Sequence, residues 1–189
     1  MRKQTQRLTL AALMGLLAVT PALLAQGMSK SMSSSKMSSG DTKFMKSAAT
    51  GGMEEVELGK LAAQKASNPD VKSFGQKMVD DHSKANDQLQ QLAGQKGVTL
   101  PTSMSMMQKH DMAKLEKLSG AAFDSAYVSM MVKDHKKDIA EFQHASKSAQ
   151  DSDLKSWAST TLPTLQDHLT MVQGISAKMH PTKMSKKSS

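Results

Sequence analysis

The sequence predicts an all-α protein, an up-down bundle of four main helices with one small extra helical segment. Three observations predict it. Apolar residues recur at intervals of three and four over most of Asp41 to Ser176, the spacing of one helix face. Short alternating runs of Val, Ile and Tyr, the mark of strands, do not occur. The stretch FGQKMVDDHSKANDQL, Phe74 to Leu89, is echoed 53 residues later and without a gap by YVSMMVKDHKKDIAEF, Tyr127 to Phe142. In both copies a histidine interrupts the apolar stripe. Phe74 aligns with Tyr127, Met78 with Met131, and the pair Asp81–His82 with Asp134–His135.

Arg2, Lys3 and Arg7 precede an apolar run from Leu8 to Val19, followed by Pro21 and Ala25. That order is the pattern of a secretory signal peptide over residues 1–25, with cleavage expected after Ala25. Export to the periplasm follows, with outer-membrane association as an alternative. There is no cysteine to carry a lipid anchor or a disulfide. No second apolar run is long enough to span a membrane, so the mature chain is expected to have no transmembrane segment. Residues 26–40 are rich in Met, Ser and Lys and have no periodicity, which predicts a disordered linker. Residues 177–189 read as a disordered basic tail of the same flavour. Thioethers at Met28, Met32, Met37, Met179 and Met184 suit soft ions such as Cu(I), although a plain tether uses the same residues.

The bundle is expected over residues 41–176. Asp41 or Thr42 is the expected cap of a first helix running to about Ala66, with Gly51–Gly52 either kinking it or admitting a close neighbour. Asn68–Pro69 restarts the chain as an N-cap followed by proline at the first helical position, and Gly97 ends the second helix. A short helical segment near Ser103 to Leu118 stops at Ser119–Gly120. A long helix from about Ala122 to Ala149 follows. Asp151 or Ser152 caps the last helix, which Pro163 is expected to kink or split.

The net charge of +8 suggests a nucleic-acid partner, but its distribution argues against one. Residues 41–176 hold all 17 acidic residues against 16 lysines and no arginine, so the folded part has no basic excess. No strained nucleophile or oxyanion hole is legible, which leans against an enzyme.

The chemistry worth following lies in the bundle interior. His82, His135 and His168 each stand on an apolar stripe of a different helix, and Glu57 lies one turn before Leu61 on the first. Imidazole and carboxylate together suit Fe, Mn, Zn, Ni or Cu(II), and bundle cores are where such sites are built. The candidate metal residues are Glu57, Asp81, His82, Asp134, His135 and His168. Adjacent residues such as Asp81 and His82 point about 100° apart on a helix, so both cannot readily hold one ion. A carboxylate that orients another helix's histidine is the alternative. The blander reading has no metal: Asp81 and Asp134 pair with His82 and His135 across helices and fix their register. His110, His144 and His180 look peripheral, and Lys84, Lys136 and Lys137 read as solvated.

Three segments together resemble the DUF4142 family: Ala48 to Pro101, Phe123 to Ser146, and LPTLQDHL from Leu162 to Leu169. The resemblance spans roughly residues 41–176 and implies a ferritin-like helical bundle exported by bacteria. Such proteins are often labelled outer-membrane proteins, yet the mature sequence has no β-barrel pattern. The family's biochemical role is not established. The expected function is therefore a non-enzymatic envelope or stress-related protein that binds a partner, or alternatively a metal-binding bundle, with a copper chaperone acting through the methionine tails as a third reading.

Overall fold

The computed structural model describes residues 37–180. The expected signal peptide, most of the expected linker, and Met28, Met32 and Met184 lie outside them. Among the described residues there are five helices and no strand: α1 (Ser39–Lys65), α2 (Pro69–Lys96), α3 (Met106–Glu116), α4 (Gly120–Ser148) and α5 (Ser152–Met179). The four long helices run 27 to 29 residues, about 42 Å each. None is long and apolar enough to cross a membrane.

Each helix starts where a side chain takes up its free N–H groups. Ser38 caps α1 by accepting from the Asp41 N–H. Asn68 caps α2, with Pro69 behind it, and Gly97 closes that helix in the left-handed conformation at φ 66°. Ser105 and Gln108 form a capping box on α3. Asp151 caps α5. The sequence placed the cap of α1 at Asp41 or Thr42; the structure moves it back to Ser38 and gives Asp41 other work. Pro163 neither splits α5 nor ends it. Pro163 and Ser159 are both exposed, so the carbonyl that loses its donor can bond to water. At its far end α5 continues to Met179, which packs against the core, and Lys178 pairs with Asp70. Met37 likewise packs against core residues.

Short links join α1 to α2 and α4 to α5, making two helical hairpins, and α3 lies in the longer connection between them. The hairpins are two copies of one unit. Shifting α2 by 83 positions reproduces α5 at both ends, and shifting Lys65, the last residue of α1, gives Ser148, the last of α4. The contacts obey the same shift. Asp41 accepts from the N–H groups of Gln150 and Asp151 at 3.0 and 2.9 Å, while Asp124 accepts from Ser67 and Asn68 at 3.1 and 2.9 Å. Each hairpin thus supplies the carboxylate that holds the tight turn leading into the second helix of the other. The aromatic pairs Phe44–Trp157 and Phe74–Tyr127 match too, with ring centroids 6.1 and 6.3 Å apart. The molecule has an internal pseudo-twofold that relates α1 to α4 and α2 to α5. The 53-residue echo between α2 and α4 is a likeness of sequence between helices that occupy different places.

Within the first hairpin the backbones approach closely at Gly59 and Gly75. A Cβ on Gly59 would stand 2.7 Å from the Gly75 carbonyl oxygen. The pair Gly51–Gly52 does not break α1. Gly52 instead admits a neighbour, since a Cβ there would stand 2.0 Å from Asn86 Oδ1. The main core joins Leu58, Val71, Phe74, Phe123, Tyr127 and Val172, all buried. It ends against a polar layer at mid-bundle.

Candidate metal centre

Four helices bring side chains to that layer. The buried stripe of α1 steps through Met45, Ala49, Gly52, Glu55, Leu58 and Ala62 at threes and fours. Glu55 sits on it and is 5% exposed. Glu57 does not: its carboxylate is on the outside, paired with Lys60 at 2.7 Å. α2 contributes His82, α4 His135 and α5 His168, all buried. The ring centroids lie 5.2 to 5.8 Å apart, and one ligand nitrogen from each falls within 4.8 Å of the others. His82 and His135 thus lie side by side in the core.

The hydrogen-bond partners assign the ring protons. His135 Nδ1 is 2.9 Å from the Met131 carbonyl oxygen, which can only accept, so Nδ1 carries the hydrogen. His168 Nε2 donates to Asp81 Oδ2 at 2.7 Å. Burial alone would raise the Asp81 carboxyl, but hydrogen bonds from Lys77 and His168 outweigh it and hold it below its usual range. Asp81 is therefore ionised and can only accept. The remaining nitrogens, His135 Nε2 and His168 Nδ1, face each other at 3.3 Å. With neutral rings, both present lone pairs. Burial, the dominant influence, lowers the pKa of both histidines, while Glu55, with Oε1 3.6 Å from His135 Nε2, acts in the opposite sense on His135. His82 Nδ1 donates to Glu55 Oε2 at 3.0 Å, and its Nε2 is buried without a partner. Burial pushes His82 down to about 4.

One more carboxyl completes the layer. Asp138 lies one turn beyond His135 and reaches Glu55 within hydrogen-bonding range. Burial raises both acids well above the carboxylate range, and their mutual repulsion adds to the rise of Asp138. Glu55 Oε1 is buried without a hydrogen-bond partner and lies 3.6 Å from His135 Nε2. Beside them a narrow pocket of about 20 Å³ is lined by Glu55, His82 and Asp138 among others.

The six residues expected from sequence separate accordingly. His82, His135 and His168 converge, and Asp81 orients one of them. Glu57 and Asp134 stand outside the cluster. Asp134 is half-buried among Lys133, Lys137 and Asp111 and bonds to no histidine. The expected cross-pairs of Asp81 and Asp134 with His82 and His135 do not form. Asp81 reaches His168, and Glu55 takes His82 instead. Sequence reading missed Glu55 and Asp138, although each carries a signal. Asp138 follows His135 by three, the same-face spacing, and Glu55 continues the α1 stripe once Gly52 counts as part of it.

The arrangement is one in which each histidine spends one N–H on a carboxylate or carbonyl and keeps its other nitrogen free. That is how proteins orient imidazoles toward a metal. In a tetrahedral site with metal–nitrogen bonds of about 2.05 Å, ligand nitrogens lie about 3.3 Å apart. The His135–His168 separation already has that value.

Comparison with known proteins adds the fold's relatives. The model of a family described as "Domain of unknown function (DUF4142)" matches residues 5–175. Among solved structures, a DUF305 fragment from Deinococcus radiodurans is similar with a TM-score of 0.68 at 12% identity, covering 76% of this chain and 99% of that one. A DUF305 protein from Streptomyces coelicolor matches with a TM-score of 0.63 at 13% identity over 74% of this chain and 93% of that one. CopM in its Cu(II)-bound form matches with a TM-score of 0.64 at 12% identity over 74% and 97%. At these identities the likeness carries the helical-bundle fold alone. No curated protein matches the sequence.

Proposed function

The chain belongs to the DUF4142 family, and from its site we propose that it is an exported bundle holding a divalent transition-metal ion on His82, His135 and His168. One observation carries the reading: three buried imidazoles from three helices converge, with His135 Nε2 and His168 Nδ1 3.3 Å apart and one ligand nitrogen of each ring within 4.8 Å of the others. A cation between those two nitrogens takes a lone pair from each, and the unpartnered His82 Nε2 offers a third donor. Glu55 and Asp81 supply negative charge behind the rings.

Three imidazoles favour Cu(II) and Zn(II), with Cu(II), the ion named for one fold neighbour, binding more tightly in the general order. The adjoining pocket admits one water-sized occupant, which favours holding or passing an ion over turning over a larger substrate. The leader-like residues Arg2, Lys3 and Arg7 with the run that follows support export to the periplasm.

The second reading is a bundle whose histidines serve only as polar pairs. The contacts Asp81–His168 and Glu55–His82 favour it. It leaves His82 Nε2 buried without a hydrogen-bond partner, a cost that native interiors avoid. The test is metal content by elemental mass spectrometry of the mature protein, purified without a histidine tag, beside a His82→Ala/His135→Ala double variant. One equivalent of metal in the parent and none in the variant is expected. No metal in the parent after reconstitution with Cu(II), Zn(II), Mn(II) and Fe(II) would overturn the proposal.

A further inference from the structure

The pseudo-twofold accounts for a pocket on the far side of the polar layer. The positions 83 removed from His82, His135 and His168 are Leu165, Gly52 and Ala85. All three line the pocket of about 20 Å³ among α1, α2, α4 and α5. Where one side of the pseudo-twofold has imidazoles, the other has a leucine and two of the smallest residues, and space remains. The pocket wall runs from half-buried Ser47, Gly51 and Glu141 inward to buried Glu55 and His82. Those two inner side chains, each 6% exposed, carry the unpartnered atoms Glu55 Oε1 and His82 Nε2.

We propose that this pocket is the loading route of the metal site. The ion enters beside Gly51 and Glu141, is taken by the carboxylates of Glu55 and Asp138, and passes from them to the three histidines. The inference rests on the metal reading above and adds the direction from which the site is filled. Carboxylates suit the transfer position because they replace water on a hydrated cation, while the imidazoles beyond hold it more tightly. Lys137, 63% exposed, pairs with Glu141 at 3.2 Å and Asp138 at 3.6 Å, two residues of the pocket wall. The histidine side is closed by comparison, since His135 and His168 are fully buried under Phe74 and their own helices.

The sole tryptophan, Trp157, lines the same pocket and reports on it. The experiment mixes metal-free protein with Cu(II) ions held by a weak glycine buffer and follows Trp157 quenching by stopped flow. Equilibrium affinity is measured separately by chelator competition. Gly51→Leu is the plug: no atom lies within 4 Å of a Cβ built there, and leucine favours the helix. It is expected to slow loading and release together by about tenfold, with affinity unchanged. Glu141→Gln removes the charge at the mouth and is expected to slow loading alone, by up to about tenfold at low salt and less at high salt. Gly51→Leu protein that loads at the parent rate, in a parent that binds Cu(II), overturns the route and leaves the site intact. A parent that shows no quenching beyond that of the His82→Ala/His135→Ala variant overturns both.

Discussion

Asp81 and Asp134 occupy matching places in the sequence echo, yet only Asp81 touches a histidine. Replacing each by asparagine separates what the structure says from what the echo suggests. Asp81 accepts from His168 Nε2 at 2.7 Å, a short charge-assisted bond that fixes the ring and strengthens Nδ1 as a ligand. Loss of such a partner lowers metal affinity by about 10- to 100-fold. Two features place Asp81→Asn at the lower end. The carboxylate is 28% exposed, and Lys77 at 2.8 Å already draws part of its charge. The expected loss is therefore about 10- to 30-fold, or about 1.4 to 2 kcal/mol. Asp134→Asn is expected to change affinity by less than about twofold, because only distant Coulomb effects remain. The assay is Zn(II) competition against a chromophoric chelator at fixed pH, with circular dichroism to confirm the helices. Equal losses in the two variants, or none in Asp81→Asn, would refute the assignment of Asp81 as the residue that orients His168.

Other perturbations test the scaffold. Gly75→Ala places a Cβ 2.8 Å from Ala63 N and Gly59 O, backbone atoms that cannot yield cheaply; overpacking of about 1–3 kcal/mol should exceed the gain in helix propensity of about 1 kcal/mol. Urea denaturation should show a lowered midpoint, whereas Gly94→Ala, with nothing within 4 Å, should raise it. Asp41→Ala strands the N–H groups of Gln150 and Asp151 and should cost about 1–3 kcal/mol, with Asp124→Ala costing a similar amount by the same device; a large inequality would count against the twofold equivalence. The metal-free protein should be most stable near pH 6.5. Histidines lowered by burial, His82 to about 4, contribute stability that is present above about 6.5 and lost as pH falls toward 4. Glu55 and Asp138, raised by burial to about 7 and about 8, contribute stability that is lost as pH rises through those values. Stability that rises monotonically from pH 4 to 9 in chemical denaturation would contradict this balance.

The helices were legible because their signals are local. Asn68–Pro69, Gly97 and Asp151 announce boundaries through side chains that act on their own next turn. Ser38 was hidden because serines crowd the residues before it, and the more obvious acid, Asp41, holds the turn before a helix 110 residues away. The three histidines were legible because each interrupts an apolar stripe. Glu57 was preferred over Glu55 because glycines at 51 and 52 disguise the stripe of α1. A glycine that admits Asn86 is a packing position without an apolar side chain, and hydropathy alone passes over it. The 53-residue echo drew attention to α2 and α4 because it carries two histidines. The 83-residue repeat is quieter, matching ASNPDVKSF (Ala66 to Phe74) with AQDSDLKSW (Ala149 to Trp157), and its meaning appears only when Asp41 and Asp124 are seen to exchange partners.

The internal twofold has a further consequence for how such a centre can come to exist. In a dimer of identical hairpins every substitution appears twice. A histidine introduced to build the site on one side of the axis would also fill the corresponding space on the other, and the ion would have nowhere to pass. Joining the hairpins into one chain lifts that restriction. His82, His135 and His168 stand on one side while Leu165, Gly52 and Ala85 keep the other open. At the layer itself Glu55 and Asp138, 83 positions apart and so each other's counterparts, remain alike. The covalent link between the halves lets one face become a lock while its twin stays a keyhole.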